Sequence, residues 1–170
     1  DNLKIIFDKT TKTKCSVSIK VPQSGTVNAN DTVENLCRDT DHSTRDTDTY
    51  KSINHTIIGN SGFTFILHQV QARDEDNFHY INTNISQTSN YQNTSKQAYS
   101  NGKLPYESEL IYPIVPIHRT CNDDYRIWGF ICIDCDKPYQ FRVKYEKAIV
   151  EGVADGLHDI MMARHSFKTQ

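Results

Sequence analysis

His118, Cys121, Cys132 and Cys135 have the residue types and paired spacings of a zinc set. If residues 109–117 and 125–134 form a hairpin, however, His118 and Cys121 lie at its turn and Cys135 at its far end, roughly 20–30 Å away at about 3.3 Å per residue. Four ligands at about 2.0–2.3 Å from one ion cannot span that gap. The expected state of Cys132 and Cys135 is therefore that of small buried hydrophobes. A thiol enzyme would need a nucleophilic thiolate, a resolving thiol within disulfide reach and an access path. Cys37, in a polar stretch, and Cys121, at a turn, are the two thiols expected to be exposed. His42, His55 and His68 have no Ser or Cys at a spacing that makes a nucleophile pair.

The segment from Cys37 to Asp46 interleaves Arg38 and Arg45 with Asp39, Asp41, His42 and several hydroxyls. A guanidinium grips a carboxylate or phosphate through two parallel hydrogen bonds, so Arg38 and Arg45, with Asp39, are candidate contacts for an anionic ligand. The competing use is a loop neutralised internally by its own Asp–Arg pairs. Tyr50, Phe63, Phe65, Phe78, Tyr80, Tyr91, Tyr99 and Tyr106 supply rings that stack on a planar ligand or pack a core beneath long loops. Of these, Tyr50, Phe63, Tyr80 and Tyr99 complete the candidate ligand-binding set.

The elements that must position these groups are readable in part. From Lys14 to Val21, Cys15, Val17, Ile19 and Val21 alternate with Ser16, Ser18 and Lys20, the period of a half-buried strand ended by Pro22 and Gly25. Val27 to Ser52 has too few apolar residues for a core element and reads as a long ordered loop, a candidate wall of a binding site. Phe63, Ile66, Leu67 and Val70 behind Asn60 predict a short helix, although Phe63, Phe65 and Leu67 also alternate. Asp74 to Asp76 reads as a charged turn and Phe78 to Ile81 as a short apolar element. Asn82 to Gly102 is a polar excursion tethered by Tyr91 and Tyr99.

Glu109 to Ile117 predicts an apolar strand whose Pro113 and Pro116 favour an edge or a bulge. A connection over Arg119 to Asp124 leads to a second strand, Tyr125 to Asp134. There Ile127, Gly129, Ile131 and Ile133 share one face, Trp128, Phe130 and Cys132 share the other, and both are covered. Gly129 marks a close approach. Pro138 opens a long helix with Phe141, Tyr145, Ala148, Ile149, Gly152, Val153, Gly156, Leu157 and Ile160 along its stripe, and Lys144, Lys147, Glu151, Asp155 and Asp159 on its solvent side. Its small residues suit close packing on the sheet or on a twin helix. A homodimer would need a second apolar face.

At 170 residues, with 36% hydrophobic and 10% aromatic residues, the chain has the composition of one globular domain. Residues 1–13 read as a linker or the remnant of an N-terminal helix. Lys+Arg 19 against Asp+Glu 21 leaves a net charge of -2, without the positive excess that nucleic acid or an anionic membrane surface demands. A mean hydropathy of -0.64 and the lack of any apolar run near 20 residues exclude a spanning helix within this sequence, so no membrane contact by the domain itself is expected. Five cysteines in a chain of this length do not require a disulfide framework, and reduced thiols in a cytoplasmic setting are the expectation. Asp1 in place of Met suggests a piece of a larger protein, such as the cytoplasmic part of a membrane-anchored one.

The run Tyr106-Glu107-Ser108-Glu109-Leu110-Ile111-Tyr112-Pro113-Ile114, then Ile127-Trp128-Gly129-Phe130-Ile131-Cys132-Ile133-Asp134, then the helix through Gly152-Val153-Ala154-Asp155-Gly156-Leu157, resembles the C-terminal half of GAF domains. The likeness covers about a third of the chain, Leu104 to Met162. The Asn-Lys-Phe-Asp signature and the chromophore-attachment cysteine context are missing, so cyclic-nucleotide and bilin binding are not implied. The resemblance implies an α+β fold: a central antiparallel sheet, helices packed on one face, and a pocket on the other roofed by loops and short helices. It further implies a non-catalytic sensory or regulatory domain for an unknown small molecule or an adjacent protein domain, signalling through its terminal helices, with a homodimer as one arrangement. Two alternatives accompany it: a cysteine-dependent free methionine sulfoxide reductase, and a degenerate module used only for protein association. The cofactor, if there is one, is unknown.

Overall fold

The structure, a computed structural model, describes residues 1–23, 25–51, 53–74, 78–115 and 126–168, without the side chains of 48, 50, 143 and 164–168. The segment holding Pro116, His118, Cys121 and the expected Arg119 to Asp124 connection therefore lies outside the described residues, as does most of the Asp74 to Asp76 turn.

Five strands form one sheet: β1 (Cys15–Pro22), β2 (Val33–Arg38), β3 (Tyr80–Asn82), β4 (Ser108–Pro113) and β5 (Phe130–Cys135). Their order is β2-β1-β5-β4-β3, and every neighbouring pair is antiparallel. The expected α+β architecture is what the chain adopts. β4 and β5 are buried at all six positions each, which is why they read as near-continuous apolar runs. Pro113 does not place β4 at an edge; β4 lies between β5 and β3, and Pro113 is its last residue, paired with Phe130. A proline at a strand end leaves the ladder before it intact.

Two apolar layers flank the sheet. On one side α1 (Asn2–Thr11) and α4 (Val143–Lys168) bring Phe7, Val150 and Ala154 onto Leu110, Tyr112, Ile131 and Ile133. On the other, α3 (Ser61–Ala72) sets Phe63, Ile66, Leu67 and Val70 against Ile111, Phe130 and Cys132, with the Phe63 and Phe130 ring centroids 4.5 Å apart. The predicted helical spacing of α3 is thus realised, and the strand alternative is not. Ile127 packs with the α3 layer and Trp128 with the α4 layer, the reverse of the expected faces, because both precede the first ladder residue of β5.

Several expectations need correction. The Val27 to Ser52 stretch is not all loop: it contains β2, a 3-10 helix over Thr40–Arg45, and the short α2 (Asp48–Lys51). β2 escaped notice because an edge strand with three polar residues in Val-Glu-Asn-Leu-Cys-Arg has no hydrophobic period. Of the two readings of residues 1–13, a linker or the remnant of an N-terminal helix, residues 2–11 take the helical one. Pro138 does not open α4, which starts at Val143. Its buried stripe runs through Glu146, Val150 and Ala154, with Leu157 and Met161 partly buried, whereas Tyr145, Val153 and Ile160 of the expected stripe are exposed. That stripe took in residues on both sides of the contact face.

The expectation of wholly reduced thiols also fails. Cys15 and Cys135 sit opposite each other on β1 and β5, with Cα atoms 4.2 Å apart, and are joined as a disulfide across 120 residues of sequence. A cross-strand pair this distant in sequence becomes visible only once β1 is known to lie beside β5. Gly129 is the predicted close approach: a Cβ there would stand 2.5 Å from the Lys20 carbonyl oxygen on β1. Among the described residues no helix is long and apolar enough to cross a membrane.

Candidate functional site

Ser16, Ser18 and Lys20 on β1 are more deeply buried than Val17, Ile19 and Val21, with which they alternate. Ser18 and Lys20 face a cavity between the sheet and the polar excursions, and burying polar groups requires that they be hydrogen-bonded. Lys20 Nζ donates to Asn35 Oδ1 of β2 at 2.6 Å. Asn35 Nδ2 donates to Asp46 at 2.6 Å, and Arg38 Nε donates to the same Oδ1 at 3.0 Å. Arg38 also donates to Ser16 Oγ at 3.0 Å. One ladder of side chains thus fastens the loop after β2 to the sheet.

Asp39 controls the shape of that loop. Its carboxylate accepts from Val17 N at 2.8 Å, Ser16 Oγ at 3.0 Å and His42 N at 3.1 Å, with the His42 ring nitrogen 2.7 Å away. Burial works to raise its pKa, but the Val17 amide, His42 and Ser16 together hold it below the ordinary value. Asp39 caps the 3-10 helix, whose far end carries Arg45 back over the sheet to Asp134 Oδ1 at 2.6 Å.

The roof is tied by amides. Asn60 accepts from Thr94 N at 3.1 Å and donates to the Thr56 carbonyl at 2.6 Å, while the His55 ring nitrogen lies 3.0 Å from Thr94 Oγ1. Asn93 donates to the hydroxyls of Tyr91 at 2.9 Å and Tyr106 at 3.0 Å. Asn60 itself makes no side-chain cap on α3, because its amide is spent on this roof.

Glu109 and Asp134, paired across β4 and β5, form the floor with Ile111 and Cys132. Glu109 is almost fully buried, and its Oε1 has no hydrogen-bond partner. Burial pushes its carboxyl up to about 8; the Tyr91 hydroxyl opposes that, Asp134 adds to it, and Lys96 opposes it. The Cys132 thiol is pushed up to about 12, mainly by burial, with Lys20 opposing. The enclosed space is about 40 Å³, room for a few waters. A wider groove of about 620 Å³ lies outside it along β2, with His55 lining both.

Four of the candidate residues, Arg38, Arg45, Phe63 and Tyr99, line the cavity. Asp39 does not; it builds the loop. Tyr80 is also outside the lining and packs against Phe65 with centroids 5.7 Å apart. The Tyr50 side chain lies outside the described residues. Arg38 pairs with Asp46 inside the loop, as the neutralised-loop reading expects, whereas Arg45 pairs with Asp134 on β5, outside it. Sequence reasoning missed Lys20, Ser18, Glu109 and Asp134. Their signal was present as carboxylates inside strands otherwise apolar and as a polar face on a strand buried on both sides. Cys132 and Cys135 point to opposite layers, so they do not form a ligand pair.

No family model matches the sequence, and no curated protein matches it. Solved structures do match in fold. A domain of a protein described as a two-component sensor histidine kinase from Sinorhizobium meliloti is 12% identical, with a TM-score of 0.58 over 99% of this chain and 94% of that one. The PixJ GAF domain of Thermosynechococcus elongatus in its blue-light absorbing form is 13% identical, with a TM-score of 0.56 over 99% and 85%. A type II free methionine-R-sulfoxide reductase from Thermoplasma acidophilum is 16% identical, with a TM-score of 0.53 over 94% and 86%. The chain has a GAF-like fold. At these identities the likeness is one of architecture, and that architecture serves both sensory domains and an enzyme.

Proposed function

We propose that the chain is a non-catalytic sensory module that takes a small polar ligand in the cavity over the sheet and passes the change to α4. The observation that carries this reading is the buried Glu109, held in a wall of satisfied polar groups yet with one oxygen unpartnered. A buried polar atom left alone is costly, and a ligand is one way to satisfy it. β4 supplies the link: Ile111 faces the cavity, and the next residue, Tyr112, donates to Glu151 of α4 at 3.1 Å. The sensory part of the reading is supported by analogy with the histidine-kinase and PixJ domains.

The test is native mass spectrometry of the protein purified from its source, followed by amide NMR after the bound species is removed and returned. A retained small molecule whose return moves Gln92, Asn93 and residues of α4 is expected. A protein that retains nothing and shows no cavity shifts with any small solute would instead favour the association-only module. Against the reductase alternative, the thiol that lines the cavity, Cys132, carries almost no thiolate near neutrality. Native alkylation is expected to modify exposed Cys37 and spare Cys132; rapid loss of Cys132 would revive the enzyme. Because disulfides persist in oxidising compartments, the state of Cys15 and Cys135 in the source-purified protein also separates a cytoplasmic module from an exported one.

A further inference from the structure

We propose that the Cys15–Cys135 disulfide is a redox input to the domain: a dithiol reductant opens it, and its opening loosens the loop of residues 38–46 that walls the cavity. The response is one of loop order, so it stands apart from the ligand reading and needs no occupant in the cavity.

Three anchors hold that loop, and each leads back to the disulfide. Cys15 pairs with Cys135 at one end of the β1–β5 ladder, and Ser16 pairs with Asp134 on the next rung. Successive residues of a strand point to opposite faces, so the disulfide lies in the α1 and α4 layer while the next rung serves the loop. Ser16 Oγ donates to Asp39 and accepts from Arg38, and Asp134 accepts from Arg45, so both ends of the loop close on one rung. The third anchor is α1. At its start Asp1 accepts from the amide and the hydroxyl of Thr40, both at 2.9 Å, and Lys4 Nζ pairs with Asp41 at 2.9 Å. Towards its end Asp8 Oδ1 accepts from Cys15 N at 2.8 Å, and Thr11 Oγ1 lies 3.3 Å from Cys15 Sγ. One helix thus touches the loop with its first turn and the disulfide with its last.

A switch needs contacts that differ between its states. In the disulfide Cys15 Sγ has no proton, and the Thr11 hydroxyl gives its single proton to the Phe7 carbonyl at 2.7 Å. A reduced Cys15 can donate to Thr11 Oγ1, a bond the oxidised form lacks. Both half-cystines and Phe7 are fully buried in one packed layer, and two separate thiols need more room than a bonded pair. Reduction therefore pushes on α1 and parts β1 from β5 at this end, displacing the three anchors together.

The way in is at the end of the ladder. Asp8, Lys12, Thr13, Lys14, Asp136 and Lys137, which flank the two cysteines in sequence, line a shallow depression. Its three lysines favour a thiolate both as attacking and as leaving group. Thr13 Oγ1 donates to Asp136, and Asp136 N donates to the Lys14 carbonyl at 3.2 Å; parting these bonds frays the ladder end locally. A thiolate of the reductant attacks one sulfur, forms a mixed disulfide and expels the other cysteine as a thiolate. Its second thiolate attacks its own sulfur in that bond and releases the second cysteine. Two electrons and two protons pass to the protein, and the reductant leaves as a disulfide.

The test treats the oxidised whole chain with dithiothreitol at neutral pH, followed by alkylation mapping and amide hydrogen exchange. Cys15 and Cys135 are expected to become alkylated without denaturant. Exchange over residues 39–46 is expected to quicken about tenfold, while α3 changes less than about twofold. Removing the reductant and adding oxidised glutathione is expected to reverse both. Cys15→Ser with Cys135→Ser is expected to show the quicker loop exchange from the outset and no response to dithiothreitol. An equal rise in the loop and α3 would make the disulfide a plain staple and overturn the input. So would cysteines that react only in denaturant, cysteines that react while the loop stays unchanged, or thiols that remain free under oxidised glutathione. A cavity found empty in the source-purified protein would count against the ligand reading alone.

Discussion

Asp39 and Glu109 are buried carboxyls with opposite consequences for pH. Asp39 is shifted below its ordinary value of 3.8, so it stabilises the fold above that value and gives the contribution up as pH falls through its depressed folded pKa. Asp39→Ala removes the acceptor for the Val17 and His42 amides and is expected to lower stability by about 2–4 kcal/mol at neutral pH, measured by urea denaturation, with less loss at pH 3. Glu109 is shifted upward, so its contribution is lost as pH rises from its ordinary 4.5 towards about 8. Glu109→Gln is expected to flatten the alkaline side of the stability profile, and a variant that still weakens between pH 5 and 8 would locate the cause elsewhere. Residue types alone marked Asp39 as a ligand contact; its cap on the His42 amide is local, but its bonds to Ser16 and Val17 depend on β1 lying beside the loop, a proximity that no local pattern encodes.

The elements legible in the sequence were those whose burial matches a simple period. α3 has apolar residues on one face and polar ones on the other, and β4 and β5 are buried on both faces, so each showed its own signature. β1 showed the right period with its polar face misplaced, because a polar cavity buries Ser18 and Lys20 as effectively as a core buries valine. β2 had no period, and the stripe of α4 was blurred by apolar residues on its outer side. Two features hold β1 to β5. Gly129→Ala would force a methyl against the Lys20 carbonyl, and a thermal melt is expected to show a loss of about 2–4 kcal/mol, since backbone cannot yield as a side chain can. Cys15→Ser together with Cys135→Ser removes a link that closes 120 residues of chain, with an expected cost of about 2–4 kcal/mol. If a reductant leaves the wild-type melt unchanged, that link is absent in solution.

At the scale of the molecule, α4 presents more apolar surface than the sheet consumes. Tyr145 is 62% exposed, Val153 37% and Ile160 55%, with exposed Ala148, Gly152 and Gly156 among them, while Val150 and Ala154 face the sheet. α1, packed on the same side of the sheet, adds Ile5 and Ile6 at 49% and 42% exposure. This is the second apolar face that a homodimer requires, and the small residues would let a twin helix approach closely. A self-complementary helix pair would also give the Tyr112–Glu151 contact something to act upon, since a shift of α4 in one copy would displace its partner. Sedimentation equilibrium is expected to show a dimer at micromolar concentration and a monomer for Val153→Glu with Ile160→Glu. Those substitutions lie on the exposed side, so the melting temperature of the dilute monomer is expected to stay within a few degrees of wild type. If the wild-type chain is monomeric at the highest concentration reached, the outer face of α4 meets a different partner or none.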